Sequence, residues 1–334
     1  MAHKRYGLIK DKTVYREFCK NEPAIPIFSK DWWLDAVCGD ENWDVAIVEK
    51  GGEIWATMPY FIIKKFGLTY LIMPPLTQTL GPWLRPSKAK YANMLSEQKD
   101  LMTELIAQLP RFHYLHQNFH YSVTNWLPFY WHGFRQTTRY TYVIEDLSDI
   151  QKVWDGLLPN IRTDIKKAEN RFGVEVKTDL DIEAFLDVNE MTFTRQGMKL
   201  PYSRDLVRRL DQACAQRDAR KIFFGFDRKG KIHAAVYLVW DENSAFYLMG
   251  GGDPELRNSG ATSLCMWKAI QFAAGVTKKF DFEGSMIEPV ERFVRAFGAK
   301  QYQYFSISKT NGALPLLIQG AKLLKQTMGK KWKR

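Results

Sequence analysis

The stretch YLMGGGDPELRNSGATSLCMWKAIQFAAG sets four glycines, Gly250, Gly251, Gly252 and Gly260, between a strand-like run and a helix-like one. Glycine lacks a Cβ, so backbone N–H groups beside it approach a ligand closely, and the start of the helix adds positive potential. That combination suits a pyrophosphate. A plain loop with Ser259 or Thr262 as helix cap accounts for the same residues. Further along, FDFEG carries Asp281 and Glu283. On a strand, alternation puts both carboxylates on one face and Phe280 and Phe282 on the other. A carboxylate at a strand end is placed to take a proton from an attacking amine. The competing reading pairs Asp281 or Glu283 with Arg292 or Arg295. A third group is cationic. Arg162, Lys166 and Lys167 stand off the apolar stripe of segment 160–172, with Arg162 and Lys166 one helical turn apart. They fit a phosphate on a nucleotide-linked or lipid-linked acceptor, a tRNA backbone, or only solvent.

Other chemically capable residues are scattered. His113, His116 and His120 resemble metal ligands only on a helix; FHYLHQNF reads as a strand, which puts His113 and His116 on opposite faces, and no acidic partner is nearby. No metal site is expected. His233 sits in an apolar strand and fits a core histidine or a base. Tyr302 and Tyr304 share one strand face, as proton donors to a leaving thiolate or as packing. Trp32, Trp33, Trp43, Trp55, Trp83, Trp126 and Trp131 supply stacking surfaces for a sugar or peptide acceptor, or core.

The elements that must hold these groups alternate along the chain. WDVAIVEK and EIWATMPYFIIKK flank a Gly-Gly turn and read as a hairpin. Residues 87–108 read as a helix ending before Pro110, FHYLHQNF as a strand, and RQTTRYTYVIED as another. Ile161, Ile165, Ala168 and Phe172 form one helical stripe, closed by Gly173. Strand VEVKT, two helices, the strands KIFFGF, KIHAAVYLVW and SAFYLMGG, a helix near 261–275, strand KKFDFEG, helix 288–297 and strand KQYQYFSIS follow. The spacing of His116 before Gly133 equals that of Asp281 before Gly298, a faint internal repeat. LPLLIQGAKLLKQTMGKKWKR closes the chain as a basic helix, suited to anionic lipid or to packing with a frayed end.

After a strand and before a helix, Arg257-Asn258-Ser259-Gly260-Ala261-Thr262 resembles the Arg/Gln-x-x-Gly-x-Gly/Ala loop with which GNAT acyltransferases hold acyl-CoA; Thr262 stands where that family carries Gly or Ala. FDFEGSMIEPVERFVRAFGAKQYQYFSIS resembles the GNAT-like domain of Fem-type peptidyltransferases and of related acyltransferases of envelope and polysaccharide pathways. LPNIRTDIKKAENRFGVEV resembles the basic helix and strand that open the second domain of those proteins. The likeness is close over residues 150–310 and loose before them. It implies an α/β (α+β) chain of two tandem GNAT-like domains, at 1–147 and 148–334, each a mixed, mainly antiparallel twisted sheet flanked by helices. It further implies an acyltransferase with acyl-CoA as donor and an envelope-type acceptor. Arg257, Asn258, Ser259, Gly260, Ala261 and Thr262 would then hold the donor, Arg162, Lys166 and Lys167 the acceptor, and Asp281 and Glu283 the proton. An aminoacyl-tRNA donor occurs on the same scaffold, and a non-catalytic pair holding nucleic acid or membrane is the third possibility.

Composition narrows the classes. A chain of 334 residues exceeds one ordinary core, and 46% hydrophobic with 25% charged residues describes a folded chain. The net charge of +11 is uneven: +2 on residues 1–148 and +9 on the rest, six of those charges falling within 322–334. A basic excess of this kind concentrates anions without choosing among them. The four cysteines form no CxxC pair, no apolar run reaches the ~20 residues of a membrane helix, and the first residues lack a signal-peptide pattern. The expectation is a cytoplasmic protein, peripheral at the inner membrane face if the basic tail docks there. No nucleophile elbow or Walker loop competes with acyl transfer.

Overall fold

The computed structural model describes residues 8–195 and 197–312. The chain opens with α1 (Leu8–Asn21) and α2 (Asp31–Cys38), then strands β1 (Trp43–Lys50), β2 (Glu53–Lys65), β3 (Leu68–Ile72) and β4 (Trp83–Leu84). Next come α3 (Tyr91–Gln108), β5 (Tyr114–Asn118), α4 (Leu127–Trp131), β6 (Arg135–Ile144), α5 (Ile150–Gly156) and α6 (Pro159–Asn170). β7 (Glu175–Lys177), α7 (Ile182–Arg195), α8 (Arg204–Ala215), β8 (Arg220–Phe226), β9 (Ile232–Trp240) and β10 (Ser244–Gly252) follow. α9 (Ala261–Ala273), β11 (Lys279–Asp281), α10 (Glu288–Arg295) and β12 (Lys300–Thr310) complete it. The basic tail helix expected over residues 314–334 lies outside the described residues.

Contacts divide the described residues into two compact units interleaved in sequence: 8–18, 38–138 and 304–312 in one, 19–37 and 139–303 in the other. Relative to a cut at 147/148, segments 19–37, 139–147 and 304–312 change sides. Unit one orders its strands β1-β2-β3-β5, with the later part of β12 paired antiparallel to β5. The β1–β2 hairpin turns on Gly51 and Gly52 at φ +62° and +80°, the left-handed pair that a two-residue hairpin turn needs. Leu101, Met102 and Leu105 of α3 are buried with Ala46, Val48, Ala56 and Met58 of that hairpin.

Unit two runs from the later part of β6 through β11, β10, β9 and β8 to β7; only β10 and β11 pair in parallel. This is the mixed sheet flanked by helices that the sequence implies. β9 is apolar along almost its whole length because it is the interior strand, covered on both faces. α9 is apolar nearly all round and lies buried on β8 and β9. α6 lies against it, burying Ile161, Ile165 and Ala168, while Phe172 packs from just beyond the helix end, before Gly173 at φ +62°.

The glycine run falls inside β10, and its closest neighbour is protein. A Cβ on Gly251 would lie 2.6 Å from the Val188 carbonyl oxygen and the Asn189 Cα, so α7 sits directly on the strand backbone. The reading of Gly250, Gly251 and Gly252 as a ligand-approach loop is corrected accordingly: all three lie in β10, and Gly251 is used by close packing of α7. Gly251→Ala is expected to destabilise the protein by ~1–3 kcal/mol, because neither backbone yields easily. Gly156→Ala, where a Cβ meets nothing within 4 Å, is expected to be neutral or slightly stabilising. Urea midpoints of the two variants against the parent check both.

Candidate active site

β10 and β11 run side by side only where Ser244, Ala245 and Phe246 face Lys279, Phe280 and Asp281. Past Phe246, β10 pairs with β9 alone, across a register shift between Tyr247 and Met249, while β11 stops. A fork opens there. The Phe282 N–H still bonds the Tyr142 carbonyl, but Glu283 and Gly284 turn left-handed at φ +57° and +56°. Gly284 tolerates no side chain, since a Cβ would lie 2.2 Å from the Tyr140 carbonyl oxygen.

The expected strand alternation of Asp281 and Glu283 is therefore corrected: Glu283 lies past the strand end. A different geometry joins the two. Asp281 Oδ1 accepts the Glu283 N–H at 2.8 Å and the Thr141 hydroxyl at 2.5 Å, and Asp281 is 2% exposed. Burial pushes the Asp281 carboxyl up to about 6, against the pull of those two hydrogen bonds. Burial, with the charge of Asp281 adding, holds the Glu283 carboxyl well above the usual carboxylate range. Neither pairs with the arginines of α10, which bond instead to Glu288 and Glu291 on their own helix.

Tyrosines line the other side of the fork. Burial raises the Tyr247 phenol to about 12, with Tyr202 and the Glu283 carboxylate reinforcing it. The Tyr202 phenol, also up to about 12 through burial, donates to Asn189 Oδ1 at 3.0 Å. Asn189 Nδ2 in turn donates to the Gly250 carbonyl at 2.7 Å, and the Gly252 N–H donates to Thr192 Oγ1 at 3.1 Å. Spacing in the sequence singled out none of Thr141, Tyr202, Asn189 and Thr192, because they come from β6, from α7 and from the segment before α8. Tyr247 had a signal, its place just before the glycine run.

At the far end of β10 the chain makes a 3-10 turn over Pro254–Ser259, capped by the Asp253 carboxylate on the Glu255 N–H. Gly260 follows at φ +82°, where a Cβ would lie 2.2 Å from the Asp164 carbonyl oxygen; it seats the loop on α6. Ser259 Oγ accepts the Ala261 N–H at 3.3 Å, and the Gly260 carbonyl accepts the Leu264 N–H at 3.1 Å. The N–H groups of Thr262 and Ser263 have no partner among the described residues. They are the unsatisfied donors of a helix start, carrying the positive end of its dipole. Ser259, Gly260 and Ala261 are buried; Arg257, Asn258 and Thr262 are exposed, and Arg257 has no ion pair among the described residues.

The structure puts the basic helix beside this loop through the Gly260–Asp164 contact, but its cations are unequal. Lys167 pairs with Asp164 at 2.7 Å and Arg162 donates to the Asp155 carbonyl at 3.2 Å. Lys166 is exposed and makes no ion pair among the described residues. His113 accepts from the Thr69 N–H, His116 bonds Ser306 and His120 bonds Ser122, so the three engage separate partners. His233 is 4% exposed and contacts Asp227 at 3.3 Å, and Tyr302 donates to Glu145. Trp33, Trp43 and Trp83 are core, whereas Trp131 is exposed.

Residues 158–303 match the family model described as an acetyltransferase (GNAT) domain. No curated protein matches the chain. Among solved structures, the chain is similar to FemX (TM-score 0.63, 12% identity, covering 88% of this chain and 95% of that one). It is similar also to the C-terminal domain of a putative lysylphosphatidylglycerol synthetase from Agrobacterium fabrum (TM-score 0.53, 13% identity, 95% and 98% covered). The structure of L-PGS from Bacillus licheniformis is a further likeness (TM-score 0.53, 10% identity, 91% and 94% covered). At these identities the likeness is one of fold. Residues 158–303 thus match the domain type that the sequence implies, and the fold is similar to that of FemX.

The raised Asp281 carboxyl has a thermodynamic consequence. Its folded value, about 6, lies above the ordinary 3.8, so the native state binds this proton more tightly than the unfolded chain does. Its contribution to stability then falls as pH rises through that window, by on the order of 3 kcal/mol in all. Asn at 281 keeps an oxygen for Thr141 and the Glu283 N–H but has no proton to lose. Asp281→Asn is expected to flatten the fall in stability between pH 4 and 7, read from urea midpoints across that range.

Proposed function

We propose that the chain moves an acyl group from acyl-CoA to an amine (or hydroxyl) of an envelope or polysaccharide precursor, with the GNAT-type domain at 158–303 as its catalytic part. The observation that carries this reading is the mouth of α9: two unpartnered amides, Thr262 and Ser263, at the helix start, beside an exposed Arg257. Donors so arranged fit the pyrophosphate of CoA, with Asn258, Ser259, Gly260 and Ala261 shaping the loop. Lys166, with Arg162 and Lys167 on the neighbouring helix, serves an anionic acceptor. The reaction takes place in the cytoplasm, with the basic tail toward an anionic membrane face.

In the reaction, the acceptor amine attacks the thioester carbonyl carbon. A C–N bond forms, the C–S bond breaks and CoA leaves as the thiol or thiolate. Glu283 takes the amine proton, its carboxyl holding a proton more tightly than an ordinary carboxylate does because of burial and the charge of Asp281. Asp281 holds the turn that presents it. The Tyr247 phenol keeps its proton at neutral pH and so serves as a donor to the leaving group or the carbonyl oxygen. Positioning and polarisation supply the rest, and no covalent enzyme intermediate is needed.

Acetyl-CoA is expected to raise the melting temperature of the full chain, and Arg257→Ala to weaken that binding roughly tenfold. Glu283→Gln is expected to leave the stabilisation intact while lowering acceptor-dependent thiol release by ~10²–10⁴-fold. Indifference to acetyl-CoA, with binding of charged tRNA that weakens steeply with salt, would replace CoA by an aminoacyl-tRNA donor. Polyanion binding with no transfer product in any assay would remove the enzymatic reading.

A further inference from the structure

At one end of the sheet of unit one, four pieces of chain come together. The β2–β3 turn at Phe66 and Gly67 lies there, because the Thr69 carbonyl accepts the N–H of His113 just before β5. The end of β12 pairs with the start of β5, Thr310 opposite Tyr114. Lys309 ties in the approach to β6: its ammonium donates to the His132 carbonyl at 2.6 Å and lies 5.2 Å over the Phe134 ring. α4 directly precedes that contact and packs on α3.

Large apolar side chains face water here. Phe66 is 89% exposed, Tyr130 60%, Trp131 58% and Leu127 41%. Phe66 tips the hairpin, and the other three belong to α4, whose Pro128 and Phe129 are the buried ones. α4 is thus apolar toward solvent as well as toward the core, which marks an interaction surface. The charge around it is of one sign. Lys64, Lys65, Arg111 and Arg135 are exposed, and neither they nor Lys309 make an ion pair among the described residues. The sequence has no Asp or Glu between Glu53 and Glu97, between Glu104 and Glu145, or after Glu291. Glu97, Asp100 and Glu104 of α3 are turned about 100–160° round that helix from Lys99, going by ~3.6 residues per turn. The Lys99 ammonium lies 5.7 Å over the Trp131 ring. Gly312, the last described residue, leaves β12 at this same end, and residues 313–334 add six cations and no acid.

We propose that this end of unit one docks on the surface of an anionic phospholipid bilayer. Leu127, Tyr130, Trp131 and Phe66 enter the headgroup boundary, where rings with an apolar body and a polar edge are favoured. The surrounding cations meet lipid phosphates, with no carboxylate beside them to repel the surface. A nucleic-acid backbone matches the cations alone, whereas an aliphatic Leu127 among them fits hydrocarbon. The surface is built from folded residues of unit one, apart from the basic tail, and it does not rest on the acyl-transfer reading.

Co-sedimentation of the full chain with vesicles of phosphatidylcholine, and with vesicles of phosphatidylcholine and phosphatidylglycerol in equal parts, tests this. Binding to the mixed vesicles is expected to be at least ~tenfold tighter than to phosphatidylcholine alone, and to weaken as salt rises. Tyr130→Ser with Trp131→Ser changes no charge and is expected to weaken binding roughly tenfold through lost insertion. Arg111→Gln with Arg135→Gln keeps the apolar residues and is expected to weaken it by about the same factor. No binding to the mixed vesicles, equal binding to both kinds, or undiminished binding in either double variant would each overturn the proposal, the last leaving the tail as the anchor. An RNA oligonucleotide that displaces the vesicles, and whose own binding falls in both variants, would instead assign the surface to nucleic acid. The arginine pair, at exposed positions, decides the matter even if the aromatic pair fails to fold.

Discussion

A strand that loses its neighbour must find other partners for its backbone or face water. β10 loses β11 after Phe246, and the features around the fork answer that loss. α7 comes down onto the strand and gives Asn189 and Thr192 to the Gly250 carbonyl and the Gly252 N–H. Only glycine permits that approach, as the clash of a Gly251 Cβ with the α7 backbone demonstrates. β11, for its part, ends in a left-handed turn that lays Glu283 beyond the strand, tied back by Asp281. The fork is thus a built feature, held open from both sides.

The same separation creates the electrostatics. Two carboxyl groups and two phenols gather where the sheet has parted and protein, not bulk water, surrounds them. Burial is the leading cause of the shift in each of the four. Such a cluster is unfavourable for folding, since charged forms lose hydration and Asp281 and Glu283 repel each other. Glu288 and Glu291 of α10, by contrast, are paired with Arg292 and Arg295, and a buried acidic cluster with raised proton affinity is a candidate functional site. The Arg257–Thr262 loop is organised by a different rule. Ser259 and Gly260 satisfy two of the groups at the start of α9, and the amides of Thr262 and Ser263 remain for an anion.

Much of the scaffold was legible without coordinates. Apolar periodicity located the Ile161–Ile165–Ala168 face of α6, the β1–β2 hairpin with its Gly-Gly turn, and the strands β8, β9 and β10. The Arg257–Thr262 segment was placed correctly between a strand and a helix, because loop chemistry and helix starts are local. Local patterns misled where a long-range contact took over. The glycine run reads as the mouth of a ligand loop, yet Gly250–Gly252 all lie in β10, and at Gly251 it is α7 that leaves no room for a side chain. FDFEG reads as a full strand, yet pairing ends at Asp281.

Residue types, their order and their periodicity determined the mixed α/β architecture, the basic helix, the loop between β10 and α9 and the two carboxylates, for all of these rest on spacing within one stretch of chain. Which groups share a solvent-poor space was decided only in three dimensions. Thr141 of β6 is far in sequence from Asp281, as Asn189 of α7 is from Gly250, and nothing in their local pattern marks them. Desolvation and hydrogen bonding act through distance in space, so the proton affinity of Asp281 and Glu283 belongs to the folded sheet and not to either residue's neighbours in the chain.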